Sequence, residues 1–453
     1  MVYYVKSTYP YSSLKGMTRT MQGYDYFYSL SKFGSRPGLE RVSRLAELCG
    51  RPDKKLNIIH VAGTNGKGTT VYSLSAILTA AGYKTGCFMS PYVLDPRECL
   101  LINGIPLTRE QFDNAILAVK PYADSMGADG PTEFELQCVA ALKYFYDQGC
   151  DTVCLEVGMG GLLDATNFID TPLLSVICAI SIDHTAWLGE SVAEIAAHKC
   201  GIIKEGGKTV AYPVQPDDAM QVIHATAAAR HNLLELPDLS AVSDLTYDTA
   251  HRASFSYKGL SFSLTMPGEH QLYNALTVTE AALALRNTHI EISDKNITDS
   301  INSTHLPARV EIIDFPAANT APVRRVIIDA GHDLQGIEAL CSVLDSMQFD
   351  RPPVAVAGML SDKDYTACAA LLAKRCRSIH AAPPKSPRAL PAESFAAAAK
   401  AAKANCCISC HGDIFTALAA AEAELLPGDT LLISGSFYVA MELRRIILEK
   451  TKN

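Results

Sequence analysis

The sequence predicts an α/β protein with two domains, each built on a mostly parallel sheet. Two observations predict it. Short β-rich apolar runs alternate with helical patterns along almost the whole chain, the mark of strands covered by helices on both faces. A glycine-rich turn, "HVAGTNGKGTT" at residues 60–70, also joins the first such strand to a helix. Ligands of open α/β sheets collect at that end of the strands.

The elements follow in order. "LNIIHVAG" is an apolar strand ending in glycine, and "GTTVYSLSAILTAAG" is a helix with a glycine stop. "TVCLEVG" and "LLSVICAISID" are continuous β-rich runs, expected where both faces of a parallel strand are buried. In the second half, "RRVIIDAG", "PPVAVAGML", "SIHAAPP", "NCCIS" and "DTLLISG" read as strands. "GIEALCSVLDSM", "AESFAAAAKAAK" and "DIFTALAAAEAELL" read as the helices between them. The polar stretch "RNTHIEISDKNITDSINSTHLPAR" separates the two series, so the expected domains are 1–303 and 304–453.

Composition narrows the function. Of 453 residues, 48% are hydrophobic and 19% charged, ordinary for a soluble globular protein. Against 48 Asp+Glu there are 40 Lys+Arg, a formal charge of -8 without a basic run, which argues against nucleic-acid binding. "MVYYVKSTYPYSSLKGMTRT" at the N-terminus lacks the apolar core of a signal peptide. No stretch approaches the ~18 apolar residues of a membrane span. A cytoplasmic protein with its 14 cysteines reduced is the expectation, Cys154 and Cys178 acting as small buried hydrophobes. Cys407, Cys410 and His411 spell C-x-x-C-H, but "CCISCHG" reads as an apolar strand after a helix, not as a haem or zinc site.

Three strand ends carry chemistry. The glycine-rich turn can hold phosphate oxygens on its amides and on the following helix N-terminus, with Lys67 as a point charge. It departs from strict G-x-x-x-x-G-K-[ST]: two residues separate Gly63 from Gly66, and Gly68 follows Lys67. "TVCLE" ends in Glu156, and a strand-end carboxylate is how many ATPases hold Mg2+. "SVICAISIDH" ends in Asp183 and His184. Each alone is a cap or a turn residue; together, beside the turn, they read as a nucleotide site. "ESVAEIAAHKCGIIKEG" is a helix with a Ser191–Glu194 capping box and a Gly201 stop, its Lys199 complementing the helix dipole. Thr132 and Glu135 of "PTEFELQ" form a second capping box.

Taken together, "IHVAGTNGKGTT", "LEVGMGGLLDATN", "SIDHTAWLGESVAEIAAHKCGIIK", "PGEHQLYNALTVTEAAL", "LPARVEI" and "IIDAGHD" resemble the folylpolyglutamate synthase / dihydrofolate synthase family. That family is part of the Mur-ligase group of ATP-dependent amide-forming ligases. The likeness runs from about residue 25 to the C-terminus, where "ISGSFYVAMELR" resembles the family's last strand and helix; residues 1–20 fall outside it. The resemblance implies a P-loop mononucleotide-binding parallel-sheet domain followed by a smaller Rossmann-like domain. It implies that Gly63, Thr64, Asn65, Gly66, Lys67, Gly68 and Thr69 bind ATP, together with Asn274, Arg309, Asp329 and His332 across the domain seam. Thr69, Ser90, Glu156 and His184 match Mg2+ positions for two ions, and Lys199 matches a lysine carboxylated by CO2. A carbamate is an oxygen donor to Mg2+, whereas an ammonium is not. Lys67, Glu156, His184 and Lys199 would be the catalytic set. Thr132, Glu133, Phe134 and Glu135, with Leu163, Asp164 and Ala165, match the pteroate-binding stretches. The implied reaction converts a carboxylate to an acyl phosphate with ATP, and the amine of L-glutamate then expels phosphate. The implied partners are small molecules only: folate or dihydropteroate, L-glutamate and ATP, on a monomer without nucleic acid or membrane.

Four positions depart from the family pattern. Leu162 and Cys99 stand where the family has arginines, Tyr92 where it has histidine and Asp333 where it has asparagine. Neither Leu nor Cys replaces the planar fork by which arginine pairs with carboxylates. A paralogous Mur-type ligase joining a different acid and amino acid is therefore the alternative, and Arg97 is a candidate to compensate by a shift in register. A P-loop regulator without turnover is the other, opposed by intact Lys67, Glu156, His184 and Lys199.

Overall fold

The structure is a computed structural model that describes residues 22–34, 36–92, 95–314, 323–402 and 405–451; residues 1–20 lie outside these. The first sheet has eight strands: β1 (Asn57–Ala62), β2 (Thr85–Phe88), β3 (Leu100–Ile102), β4 (Ile105–Pro106), β5 (Thr152–Glu156), β6 (Leu174–Ile177), β7 (Lys208–Ala211) and β8 (Leu233–Glu235). Their order is β4-β3-β2-β5-β1-β6-β7-β8, with β3 and β4 an antiparallel edge on six parallel strands. Because β1 lies between β5 and β6, the loops leaving β1, β5 and β6 converge at one point, where such sheets bind ligands.

Ile58 through Ala62 are buried, as a two-faced apolar strand requires. One face of the sheet packs on helices Glu40–Leu48, Arg109–Ser125 and Glu133–Asp147 through residues such as Phe88, Phe112 and Phe145. The other packs on Lys67–Ala80 and Glu269–Arg286 through Ile59, Val61, Leu74 and Leu276.

The third run is shorter than its composition suggests, since β6 ends at Ile177. Residues 178–183 leave the sheet to serve the glycine-rich turn instead. Ala179 O accepts Thr64 N at 2.7 Å and Asn65 N at 3.2 Å, and Ser181 N donates to Thr64 Oγ1 at 3.0 Å.

A three-stranded antiparallel meander, β9 (Val242–Tyr247), β10 (Ala253–Tyr257) and β11 (Leu260–Ser263), was not anticipated. Its signal was present: "ASFSYKGLSFS" alternates apolar and polar residues about a Lys258–Gly259 turn. Phe255, Tyr257 and Phe262 lie buried in the same core as the Glu269–Arg286 helix.

The second sheet holds β12 (Glu311–Asp314), β13 (Val323–Ile328), β14 (Val354–Ala357), β15 (Ser378–Ala381), β16 (Cys407–Cys410) and β17 (Asp429–Ser434). The order is β12-β13-β17-β14-β15-β16, parallel except for β12.

Candidate active site

The glycine-rich turn ends in Gly66, which caps helix Lys67–Ala80 at φ 86°. A Cβ there would sit 2.6 Å from Asn274 Oδ1, so only glycine brings the turn this close to the Glu269–Arg286 helix. Lys67 Nζ folds back onto Gly63 O at 3.1 Å and Thr64 O at 3.0 Å. Lys199 Nζ also donates to Gly63 O, at 2.8 Å. Lys199 is only 2% exposed. Burial, and next the Lys67 charge, bring its pKa down to about 7. Its helix begins with the expected Ser191–Glu194 capping box, yet the ammonium is turned inward, away from the solvated helix end that a dipole role would need.

Glu156 closes β5, and its Oε2 accepts Ser90 N at 3.2 Å. Burial pushes the carboxyl up to about 7, with Lys67 opposing. His184 follows at φ 51°; burial keeps its ring neutral, with a pKa near 4. Asp183 pairs with Lys363 of the second domain at 2.6 Å, both side chains below 10% exposed. Burial favours the neutral acid, but Lys363 and His184 outweigh it and hold Asp183 at about 2. Lys363 was missed in the sequence, although "SDKDY" follows a strand that ends with chemistry by the same positional rule.

Asn65 crosses the seam as well, donating to Asp333 Oδ2 at 3.2 Å and to Gln335 Oε1 at 2.7 Å. Asp333, the departure from asparagine, caps helix Leu334–Ser346 by accepting Gly336 N at 2.7 Å. Donor atoms of Asp183, His332 and Asp333 lie within 4.8 Å of one another, a group able to hold a cation that sequence reading did not single out. The Lys363 ammonium already partners Asp183 there.

A cleft of about 730 Å³ opens at the seam, lined by Asn65, Thr69, Asn274, Arg309, Asp329 and His332 among others. Asp329 is fixed by Val310 N at 2.9 Å and Gly331 N at 2.8 Å, and His332 Nδ1 lies 3.1 Å from Ala330 O. All four second-wall residues expected at ATP, Asn274, Arg309, Asp329 and His332, therefore line one cavity with Gly66 and Thr69. Lys67, Ser90, Glu156, His184 and Lys199 do not line it; they form the polar cluster beside it.

The pteroate-side residues divide. Phe134 and Asp164 meet over Gly158, where a Cβ would lie 2.6 Å from Phe134 Cζ and 3.2 Å from Asp164 Oδ2. Asp164 accepts Met159 N at 2.8 Å and Thr166 Oγ1 at 2.6 Å, and Ala165 is buried beside it. Glu133 accepts Tyr92 Oη at 3.2 Å. Glu135 is committed elsewhere: it completes the Thr132 capping box and accepts both Arg41 Nη2 at 2.9 Å and Nε at 3.3 Å. Leu162 and Leu163 are exposed at 41% and 45%. Cys99 does not face a substrate, because its side chain is buried in the core with Phe88 and Leu100. Nor is Arg97 available to compensate, since it grips Asp95 with two bonds of 2.9 Å.

A strand-end glycine turn, a cleft between two parallel-sheet domains and a buried lysine behind the turn define the Mur-ligase class. Residues 61–282 match the Mur ligase middle domain, and residues 309–437 match the Mur ligase glutamate ligase domain. The chain is 32% identical to the Bacillus subtilis dihydrofolate synthase/folylpolyglutamate synthase over 431 residues, covering 91% of this chain and 96% of the relative. Escherichia coli FolC, solved in complex with DHPP and ADP, superposes with a TM-score of 0.82 at 29% identity, over 95% of this chain and 98% of that one. A bifunctional folylpolyglutamate synthase/dihydrofolate synthase solved with Mn, AMPPNP and L-glutamate superposes at 0.80 and 28% identity, over 95% and 98%. The chain belongs to the folylpolyglutamate synthase / dihydrofolate synthase family of ligases.

Proposed function

We propose that the protein is an ATP- and divalent-metal-dependent ligase that adds L-glutamate to dihydropteroate, to the glutamate tail of reduced folates, or to both. The observation that carries this reading is the buried Lys199–Gly63–Lys67 contact behind the nucleotide turn, beside Glu156 and the seam cleft. The relatives bind ADP, DHPP, AMPPNP, Mn and L-glutamate.

ATP would lie in the cleft with its phosphates on Gly63–Thr69 and its nucleoside end toward Asn274, Arg309 and Asp329. Thr69, Ser90, Glu156 and His184 suit Mg2+: they offer hard oxygens and one neutral imidazole, and the buried Glu156 carboxyl ionises readily only beside a cation. Mg2+, as two ions, would neutralise charge on the phosphoryl group in transfer. A Lys199 amine with a pKa near 7 is nucleophilic toward CO2 at neutral pH, and its carbamate would replace a repelling ammonium beside Lys67 with an oxygen donor. Lys67 would stabilise the phosphoryl oxygens as the substrate carboxylate becomes an acyl phosphate and ADP forms. The glutamate amine then displaces phosphate, while the two domains, 1–303 and 304–453, close the seam against water.

Among the described residues no helix is long and apolar enough to cross a membrane.

Phosphate release with ATP, L-glutamate and either dihydropteroate or tetrahydrofolate tests the reading. Release that requires both glutamate and a folate-type acceptor is expected. Release only with other acid and amino-acid pairs, or ATP binding without release, would overturn it.

A further inference from the structure

The C-x-x-C-H run plays no part in the cleft. β16 is the edge strand of the second sheet, in register with β15 so that Ser378 faces Cys407 and His380 faces Ser409. Strand alternation puts Cys407 and Ser409 on one face and Ile408 and Cys410 on the other. Cys407 and Cys410 therefore cannot clamp one ion between them.

A different set of donors does converge. His411, just past the end of β16, places Nε2 at 3.1 Å from His380 Nδ1 and 3.1 Å from Ser409 Oγ. Ser409 Oγ is also 3.1 Å from His380 Nδ1, so the three atoms form an equilateral triangle. Zinc bonded tetrahedrally at about 2.0–2.1 Å sets its ligands roughly 3.3 Å apart, close to this edge. On the far side of the His380 ring, Nε2 lies 3.1 Å from Glu424 Oε2, and the other Glu424 oxygen accepts Ser378 Oγ. A carboxylate behind a histidine is the usual outer partner of a metal ligand: it keeps the proton on one nitrogen and aims the other's lone pair. Here that lone pair points into the triangle. His380 is buried, His411 and Ser409 are half-buried and Cys407 is exposed, so the triangle opens to solvent along the sheet edge. The plainer account is a hydrogen bond between the two rings.

We propose that His380, His411 and Ser409, oriented by Glu424, form a binding site for a borderline divalent transition metal such as zinc. Two imidazoles and a hydroxyl select such ions over Mg2+. Water completes the coordination. Bound there, the ion ties the edge strand to β15 and stabilises the second domain by mass action. None of its residues lines the cleft.

The test uses the full chain, stripped with a chelator and titrated with Zn2+ in millimolar Mg2+, which fills sites made for hard cations. One equivalent of Zn2+ should bind and raise the thermal midpoint, and Co2+ in its place should give a visible d–d spectrum. His411→Ala, at a half-buried position, should abolish the Co2+ spectrum while leaving ATP-dependent phosphate release unchanged. Glu424→Gln should weaken Zn2+ by about 10- to 100-fold. A wild-type chain that binds no equivalent of Zn2+, or a folded His411→Ala that keeps the wild-type affinity and spectrum, would overturn the proposal.

Discussion

The turn at 63–69 and the segments 95–99 and 158–165 all lie near Glu156 but are held differently. The turn is held by backbone and by buried charge: Ala179 O takes two of its amides, and Lys67 and Lys199 both bond to Gly63 O. The other loops mix buried anchors, Asp164 and Cys99, with exposed Leu162 and Leu163. Phosphate chemistry is the same for every substrate, so its apparatus tolerates little variation. Leu162 and Leu163 are side chains that can change without disturbing the core.

The sharpest way to break this contrast is Lys199→Ala. It removes the amine behind the turn and leaves a pocket lined by Gly63 O. Turnover should fall by about 10²- to 10³-fold, the scale of losing one electrostatic stabiliser. A small carboxylic acid should restore part of it by supplying the missing oxygen donor. Phosphate release measures both, and full activity in the variant would end the carbamate idea.

Next comes the seam. Asp183→Asn leaves the Lys363 ammonium buried without its anion. Uncompensated charges of this kind cost about 3–5 kcal/mol. Denaturant unfolding should show a loss on that scale. The double variant Asp183→Asn/Lys363→Met should recover part of it, because it removes both charges.

A smaller effect belongs to β1. His60 is fully buried, with Nε2 2.9 Å from Thr166 Oγ1, and burial drives its pKa to about 3. The unfolded chain takes up this proton near pH 6.5 and the folded chain only near 3, so stability falls as pH drops between them. The slope for one such group is about 1.4 kcal/mol per pH unit. His60→Gln should flatten the stability profile across that window, while above pH 7 the two profiles should run parallel.

How much of this was legible follows from what each signal was. β1, β5, β14 and β17 announce themselves as mostly apolar runs, because burial on both faces favours apolar residues; β12 was not read as a strand, and the edge strand β16 is partly exposed. The extent of β6 was not legible: "CAISID" has strand composition, but its amides and carbonyls are taken by the turn, a long-range contact. The meander was legible by alternation and passed over. In the site, Glu156 could be found from its strand end alone, whereas His184 lies well past the end of β6, and Lys199 looked like a dipole-complementing residue until its Nζ was seen against Gly63 O. Cys99 and Leu162 looked like equivalent losses of arginine. Only burial separates them, since Cys99 is 1% exposed and Leu162 is 41% exposed.

That separation gives the mildest and most discriminating prediction. Leu162 meets solvent on the loop that carries Asp164, while its backbone N–H is tied to His198 O at 2.7 Å and its carbonyl accepts Asn167 Nδ2 at 3.1 Å. The main chain is thus fixed whatever the side chain, and Leu162→Arg should shift stability by no more than about 0.5 kcal/mol. A guanidinium there could pair with an acidic acceptor, so KM for a polyglutamylated folate should fall several-fold while kcat stays put. Cys99→Arg is the control. It forces a long charged side chain into the packed core beside Phe88 and Leu100 and should destabilise the protein rather than retune it. If Leu162→Arg leaves every acceptor KM unchanged, the loop does not read the acceptor's charge. Its missing arginine is then drift.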